Sequence, residues 1–416
     1  MCQTSCTHFD FALRMQRPQD AFCIRRFSFI NESTTNGVTG MKLNIGIVST
    51  YQPTNCGIAT FTASLANSMG AIDSYSTRIV RLVELATPSD PPSPGVVATM
   101  VNGDEGSIVR AAAALNAMDV AVIQHEFGIY GGIDGDEVLT LVKKLRVPVI
   151  VVLHTVLSAP TSHQRSIIRA LCERAAAIVV MSKIASNRLI ADGTIDSSKI
   201  SLIHHGSRQI LSRSLLGESR RPIILTWGLI SPGKGIEWVI RAMDQLRDMN
   251  PAPIYVVAGR THPKVLEHDG DIYRDGLSHL IDELSLHNLV ELRPAFLSSL
   301  ALDNLIASAS IIVLPYENSE QVTSGVLVEA VSAGRPIIAT RFPHAVELLE
   351  GDVGTLVPYR DPTAIAESIR KIVLDPDLAA EMSQKTRVIG RAIQWPVVAR
   401  QYANLASSLI EARVSA

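Results

Sequence analysis

One repeated alternation restricts the fold more than any other feature. From Lys42 onward, short runs of β-branched and aliphatic residues take turns with amphipathic stretches of helical period. LNIGIVS (43–49), TRIVRLV (77–83), DVAVIQH (119–125), VPVIVVLH (147–154), AAAIVVM (175–181) and KISLIH (199–204) read as strands, and IATFTASLANSM (58–69) as a helix. Strands that are apolar on both faces and separated by helices belong to a parallel sheet covered on both sides. The polar stretch HHGSRQILSRSLLGESRRP (204–222) interrupts the pattern and reads as an interdomain linker. The alternation then restarts with IILTWG (223–228), PIYVVAG (253–259), NLVELR (288–293), SIIVLP (310–315), RPIIAT (335–340) and GTLVPY (354–359). Helical stretches at 361–374, 376–389 and 397–413 complete it.

The 416 residues exceed the roughly 250–300 that one hydrophobic core usually serves. Two doubly wound α/β domains in tandem are therefore expected. Ligands of such sheets bind outside the carboxyl ends of the strands, so two facing domains place the site in the cleft between them. The expected boundaries are a poorly structured extension at 1–40, a first domain at 41–212, a second at 213–390, and a helix at 391–416 packing back on the first. Residues 1–40 carry no sustained period, and a clean strand follows Met41. Met41 is therefore read as the natural start, or 1–40 as a loosely attached tail. N-terminal proteomics decides between them.

Composition narrows the function classes. Apolar residues make up 47% and charged residues 19%, which is a globular rather than a disordered balance. The net charge is 38 − 40 = −2 without a basic stripe, which argues against a dedicated nucleic-acid binder. It argues equally against a polybasic membrane anchor, while leaving room for a peripheral membrane contact. No apolar run approaches the 18 or so residues of a transmembrane segment, and residues 1–40 lack the apolar core of a signal peptide. The five cysteines include no CxxC pair. Reduced thiols, a cytoplasmic location and no zinc site are expected.

Several strand ends carry candidate chemistry. YQPTNCGIATF (51–61) puts Gly57 at a helix start, where free N–H groups favour an anion. QHEFGIYGGIDGDE (124–137) puts His125 and Glu126 at the expected cleft rim, on the acceptor side, and Gly131-Gly132 in a compliant loop. Asp134 or Asp136 is read as a cap for the helix that follows. His154 ends a central strand, as a functional residue or a structural hydrogen-bonder. GLISPGKG (228–235) sets Lys234 at a helix N-terminus, where a cation is disfavoured unless an anion binds beside it. AGRTHP (258–263) places Arg260 after another strand. In PYENSEQVTSGVLVEAVSAGRPIIAT (315–340), Ser324-Gly325 opens an apolar helix that contains Glu329. A carboxylate there needs a partner, either a ribose diol or protein N–H groups.

Together these motifs resemble the retaining glycosyltransferases of family 4, which have two facing Rossmann-like domains, the GT-B fold. The resemblance runs from about Met41 to Ala416. Its strongest part is VLVEA-x-x-AGRPIIAT, supported by GLISPGKG, YQPTNCGIATF, VMSKIASNRLI (180–190) and LIHHG (202–206). It implies transfer of a sugar from a nucleotide-diphosphate-sugar, GDP-mannose or a UDP-sugar, with retention and without a metal or other cofactor. The acceptor, whether carbohydrate, lipid or small molecule, is left unspecified. By resemblance, Lys234 holds the donor diphosphate, Glu329 the ribose hydroxyls, and Gly57 approaches the phosphates. His154 sits by the transferred sugar, and N–H groups near Ser324 and Gly325 complete the anion site. Three positions depart from the family pattern. The usual glutamate eight residues before Glu329 is Gln321, with Glu320 beside it, so either can fill that role. The usual phosphate-binding arginine is Leu229, for which Arg260 is the substitute. The first glycine of the N-terminal pair is Cys56. A GT-B glycan phosphorylase and an inactive sugar- or nucleotide-binding protein are the alternatives.

Overall fold

The computed structural model describes residues 42–84, 93–193, 195–210, 221–294 and 297–415. The expected N-terminal extension at 1–40 with its boundary at Met41, and most of the polar stretch before residue 221, lie outside these residues. The first domain is built on strands β1 (Leu43–Ser49), β2 (Tyr75–Val83), β3 (Val96–Val101), β4 (Val120–His125), β5 (Val149–Leu153), β6 (Ala177–Val180) and β7 (Ile200–Leu202). They form one parallel sheet in the order β3-β2-β1-β4-β5-β6-β7. The second domain has β8 (Ile223–Trp227), β9 (Ile254–Ala258), β10 (Val290–Arg293), β11 (Ile311–Leu314), β12 (Ile337–Thr340) and β13 (Thr355–Val357), in the order β10-β9-β8-β11-β12-β13. Both are doubly wound Rossmann-like sheets. In each, the strand order reverses beside the first strand of the sheet, which is where such folds open a crevice for ligands.

The helices of the first domain are α1 (Gly57–Gly70), α2 (Glu105–Asn116), α3 (Val138–Lys143), α4 (Ser162–Arg174) and α5 (Lys183–Ala191). Those of the second are α6 (Ile236–Asp244), α7 (Pro263–Asp269), α8 (Ile272–Glu283), α9 (Ser299–Ser308), α10 (Gly325–Ser332), α11 (Pro343–Leu348), α12 (Pro362–Leu374) and α13 (Pro376–Ala392). A last helix, α14 (Trp395–Ser415), returns to the first domain. Its Val398, Ala399 and Tyr402 share one core with Phe61, Leu65 and Met69 of α1 and with the β1 residues Ile45 and Ile47. The opposite face of that sheet buries Ile108 of α2, Leu141 of α3 and Leu171 of α4. The uninterrupted burial of β4, β5 and β6 follows from this double cover.

β3 escapes the sequence reading. VVATMV sits at the sheet edge with alternating burial, and it is flanked by exposed positions rather than a continuous buried run. The linker reading of 204–222 is corrected at its start. Gly206, Ser207 and Ile210 are buried, and Ser207 N donates to Ile393 O at 2.8 Å while Trp395 N donates to Ser207 O at 3.0 Å. The two chain crossings between the domains therefore run side by side and are hydrogen-bonded to each other.

Candidate active site

A cleft of about 1090 Å³ lies between the two domains at the carboxyl ends of their strands. Gly57, Glu126, His154, Arg260, Gly325 and Glu329 all line it. A smaller adjoining cavity of about 390 Å³ is lined by Lys234, Asn318, Glu320 and Gln321, and it shares His154 and Thr323 with the main cleft.

From the first domain, the loop after β1 enters α1 through Cys56. Its Sγ accepts from Ala59 N at 3.4 Å and lies 3.2 Å from Thr50 Oγ1, so the residue in the usual glycine position works as a helix cap. A Cβ at Gly57 would meet nothing within 4 Å. That glycine leaves open space in the cleft and relieves no clash.

His154 follows β5. Its Nε2 lies 2.7 Å from Gln124 Oε1, and its ring meets the Phe61 ring edge-on at 4.9 Å. Burial, helped by the nearby His205 and His125, pushes its pKa down to about 3, so the ring is neutral. His125 is corrected: it is fully buried, not at the rim. Its ring packs against Phe127 and Tyr130 with neither nitrogen hydrogen-bonded among the described residues, and burial lowers its pKa to about 4. Glu126 does reach the cleft, with Oε2 accepting from Gly128 N at 2.7 Å. Neither Asp134 nor Asp136 caps α3. The residue before α3 is Glu137, without a side-chain cap, and both aspartates instead flank His163 at 3.2 and 3.4 Å.

From the second domain, Gly235 stands in the left-handed region at φ 67° and precedes α6. A Cβ there would lie 2.0 Å from Pro315 O. Only glycine lets the turn press against the end of β11 and so places Lys234. The Lys234 ammonium lies 4.2 Å from the Tyr316 ring centroid, and burial lowers its pKa. Ser324 caps α10, its Oγ accepting from Leu327 N at 3.2 Å while its own N donates to His344 Nδ1 at 2.9 Å. It is buried and does not line the cleft; Gly325, the first residue of α10, does.

Glu329 is held by Arg208 (Nε to Oε1, 3.2 Å), which also reaches Asp303 at 3.0 Å. The Glu320 carboxylate is bound across the interface. It accepts from Ser158 N at 2.8 Å, from Ser158 Oγ at 2.7 Å and from Arg188 at 3.0 Å. Its neighbour Gln321 lines the smaller cavity beside Lys234.

The sequence reading missed Gln124, His205, Arg208 and Trp395. His205 and Trp395 pack on Phe61, and a Cβ at Gly206 would fall 2.2 Å from the Trp395 ring. The available signal was position: HHGSR follows β7 after one intervening residue, Ile203, at the same end of the sheet as His154. Among the described residues, no group of three or more His, Cys, Asp or Glu side chains is placed to hold a metal ion.

Comparison with known proteins gives this geometry a context. Residues 207–388 match the family model described as glycosyl transferases group 1. The matched group 1 region contains Lys234, Arg260, Glu320, Gln321, Gly325 and Glu329. A curated relative, the D-inositol 3-phosphate glycosyltransferase of Streptomyces coelicolor, is 28% identical over 217 residues, covering 50% of this chain and 45% of the relative. The chain thus aligns with less than half of that relative's length. Among solved structures, sucrose-phosphate synthase from Thermosynechococcus elongatus superposes with a TM-score of 0.70 at 18% identity, over 89% of this chain and 100% of that one. Anabaena HepE in complex with UDP-glucose gives 0.67 at 18%, over 88% of this chain and 100% of that one. These likenesses show the fold: two parallel-sheet Rossmann-like domains of the GT-B type. No helix among the described residues is long and apolar enough to cross a membrane.

Proposed function

We propose that the chain is a cytoplasmic glycosyltransferase of family 4. It would move a sugar from a nucleotide-diphosphate-sugar to a carbohydrate, lipid or small-molecule acceptor, with retention and without a metal. The observation that carries this reading is the meeting of Lys234, Arg260, Gly325 and Glu329 from the group 1 region with His154 and Gly57 from the facing domain, around two joined cavities. Each would act on a definite part of the donor. Lys234 and the α10 N-terminus at Gly325 would hold the diphosphate and stabilise charge that grows on it as the glycosidic bond breaks. Glu329, lining the cleft and steadied by Arg208, would accept from the ribose hydroxyls. Arg260 would supply the cation missing at Leu229. His154 would face the transferred sugar, and Glu126 the acceptor.

Gln321 rather than Glu320 is the better candidate for the first position of the paired glutamates, because the Glu320 carboxylate is already committed to Ser158 and Arg188. A UDP-sugar and GDP-mannose are both candidate donors. HepE was solved with UDP-glucose, and a Mycolicibacterium smegmatis relative is named a GDP-mannose-dependent mannosyltransferase.

The test is a thermal-shift panel of UDP, GDP, ADP and their common sugar adducts, in buffer with and without EDTA. Binding at 100 times Kd should stabilise the protein by about 2.7 kcal/mol. A shift confined to one nucleotide, unaffected by EDTA and abolished by Glu329→Ala, is expected. NMR of the product's anomeric proton then reads retention directly. No shift with any nucleotide in a folded protein would overturn the reading.

A further inference from the structure

We propose that Gln124 is a positioning residue that holds His154 in its Nε2–H tautomer, so that Nδ1 faces the cleft as a hydrogen-bond acceptor for a sugar hydroxyl. This rests on the reading of His154 as a neighbour of the transferred sugar. Gln124 lies on β4, fully buried. Adjacent β5 carries the chain directly into His154, whose N donates to His125 O at 3.0 Å. The backbone thus brings the Gln124 amide and the imidazole edge to edge, 2.7 Å apart.

A neutral imidazole has one N–H and one lone pair, and the hydrogen bond at one nitrogen decides the role of the other. An amide carbonyl only accepts. With Oε1 facing Nε2, that nitrogen carries the proton and Nδ1 keeps the lone pair. Phe61 of α1, edge-on at 4.9 Å, resists rotation of the ring.

Neutrality matters as much as orientation, because an imidazolium could only donate. The ionisable groups whose charge bears on the ring are His205, after β7, and His125, at the end of β4, while α1 presents the uncharged Phe61. No carboxylate is hydrogen-bonded to His154 among the described residues. The surroundings therefore favour the uncharged ring.

The consequence is a selection rule. The ligand atom that meets Nδ1 must be a donor, which a hydroxyl is and an ether, fluorine or carboxylate is not.

The experiment is a long-range proton–nitrogen NMR correlation on the full chain labelled with ¹⁵N-histidine. His154 is assigned by the signals lost in His154→Gln. The expected pattern is a protonated Nε2 and a bare Nδ1 that persist from about pH 5.5 to 8. Gln124→Glu should convert His154 to imidazolium over part of that range, because a carboxylate raises the pKa of a neighbouring imidazole. Gln124→Met, which adds no charge, should yield both tautomers. A wild-type ring protonated at Nδ1, a ring that titrates near 6.5, or a Gln124→Met spectrum identical to wild type would each overturn the proposal. These spectra need no turnover, so they fail or succeed separately from the transferase reading. With the donor identified, Gln124→Glu should lower kcat/KM about tenfold at acid pH and recover as pH rises.

Discussion

Individual side chains carry most of the chemistry proposed here, and two sets of them make sharp predictions. Lys234→Ala should lower turnover by about a hundredfold, the loss seen when one preorganised donor to a developing anion is removed. Steady-state rates at saturating donor check it, and unchanged turnover would take Lys234 out of the reaction. The second prediction concerns four histidines, His125 and His344 buried and His154 and His205 partly buried at the cleft. His125 and His205 are held down to about 4, and His154 and His344 to about 3, each chiefly by burial. Their folded-state values lie below the ordinary value of about 6.5, so the unfolded chain binds more protons between the two. Stability is therefore whole above about pH 6.5 and falls as pH drops through the window down to the folded values. Each histidine contributes a slope of up to roughly 1.4 kcal/mol per pH unit. Urea midpoints across that range read the slope directly. Of these histidines, His125 and His154 were legible because they stand at strand ends, whereas His205 and His344 were not singled out. His125 was misread because DVAVIQH shows where the strand ends but not which way the final ring turns.

At the scale of elements, the alternation of apolar runs and amphipathic stretches was enough to locate every strand of both sheets except β3, since double cover writes itself into sequence as continuous hydrophobicity. β3 stayed hidden, although the other edge strands β7, β10 and β13 did not, because Val97 and Thr99 are exposed and its apolar run is broken. The start of the polar 204–222 stretch misled for the opposite reason: its polar side chains are buried by contacts with α14 and α10, which lie far along the chain. Helix starts are the most sensitive points. Gly235→Ala would place a Cβ against Pro315 O with φ at 67°, and it should cost about 1–3 kcal/mol. It should also weaken nucleotide binding, because the same turn places Lys234. A thermal melt with and without nucleotide separates the two effects. Cys56→Ser should keep the α1 cap, while Cys56→Ala should lose about 1 kcal/mol, measured by urea unfolding.

For the molecule as a whole, two carboxylates of the second domain grip backbone N–H groups of the first. Glu320 takes Ser158 N, and Glu347 of α11 takes Lys183 N at 2.7 Å and Ile184 N at 3.0 Å, at the start of α5. The second grip joins a carboxylate to a helix N-terminus, a favourable pairing. Val322, two residues after Glu320, is buried in the first domain's core. Replacing both Glu320 and Glu347 by Ala should widen the cleft, raising the radius of gyration measured by small-angle X-ray scattering in the absence of nucleotide. An unchanged scattering curve would show that apolar contacts alone hold the domains. None of these cross-domain pairs could be read from sequence, since they join residues 162 and 164 positions apart.

The return of α14 to the first domain also orders events at the ribosome. Domains tend to fold as they emerge, the N-terminal one first. Here the first domain lacks one wall of its core, the Val398–Tyr402 face against α1, until all of the second domain has been translated. The domain begun first is completed last, so the nascent chain must carry Phe61, Leu65 and Met69 partly uncovered through most of its synthesis.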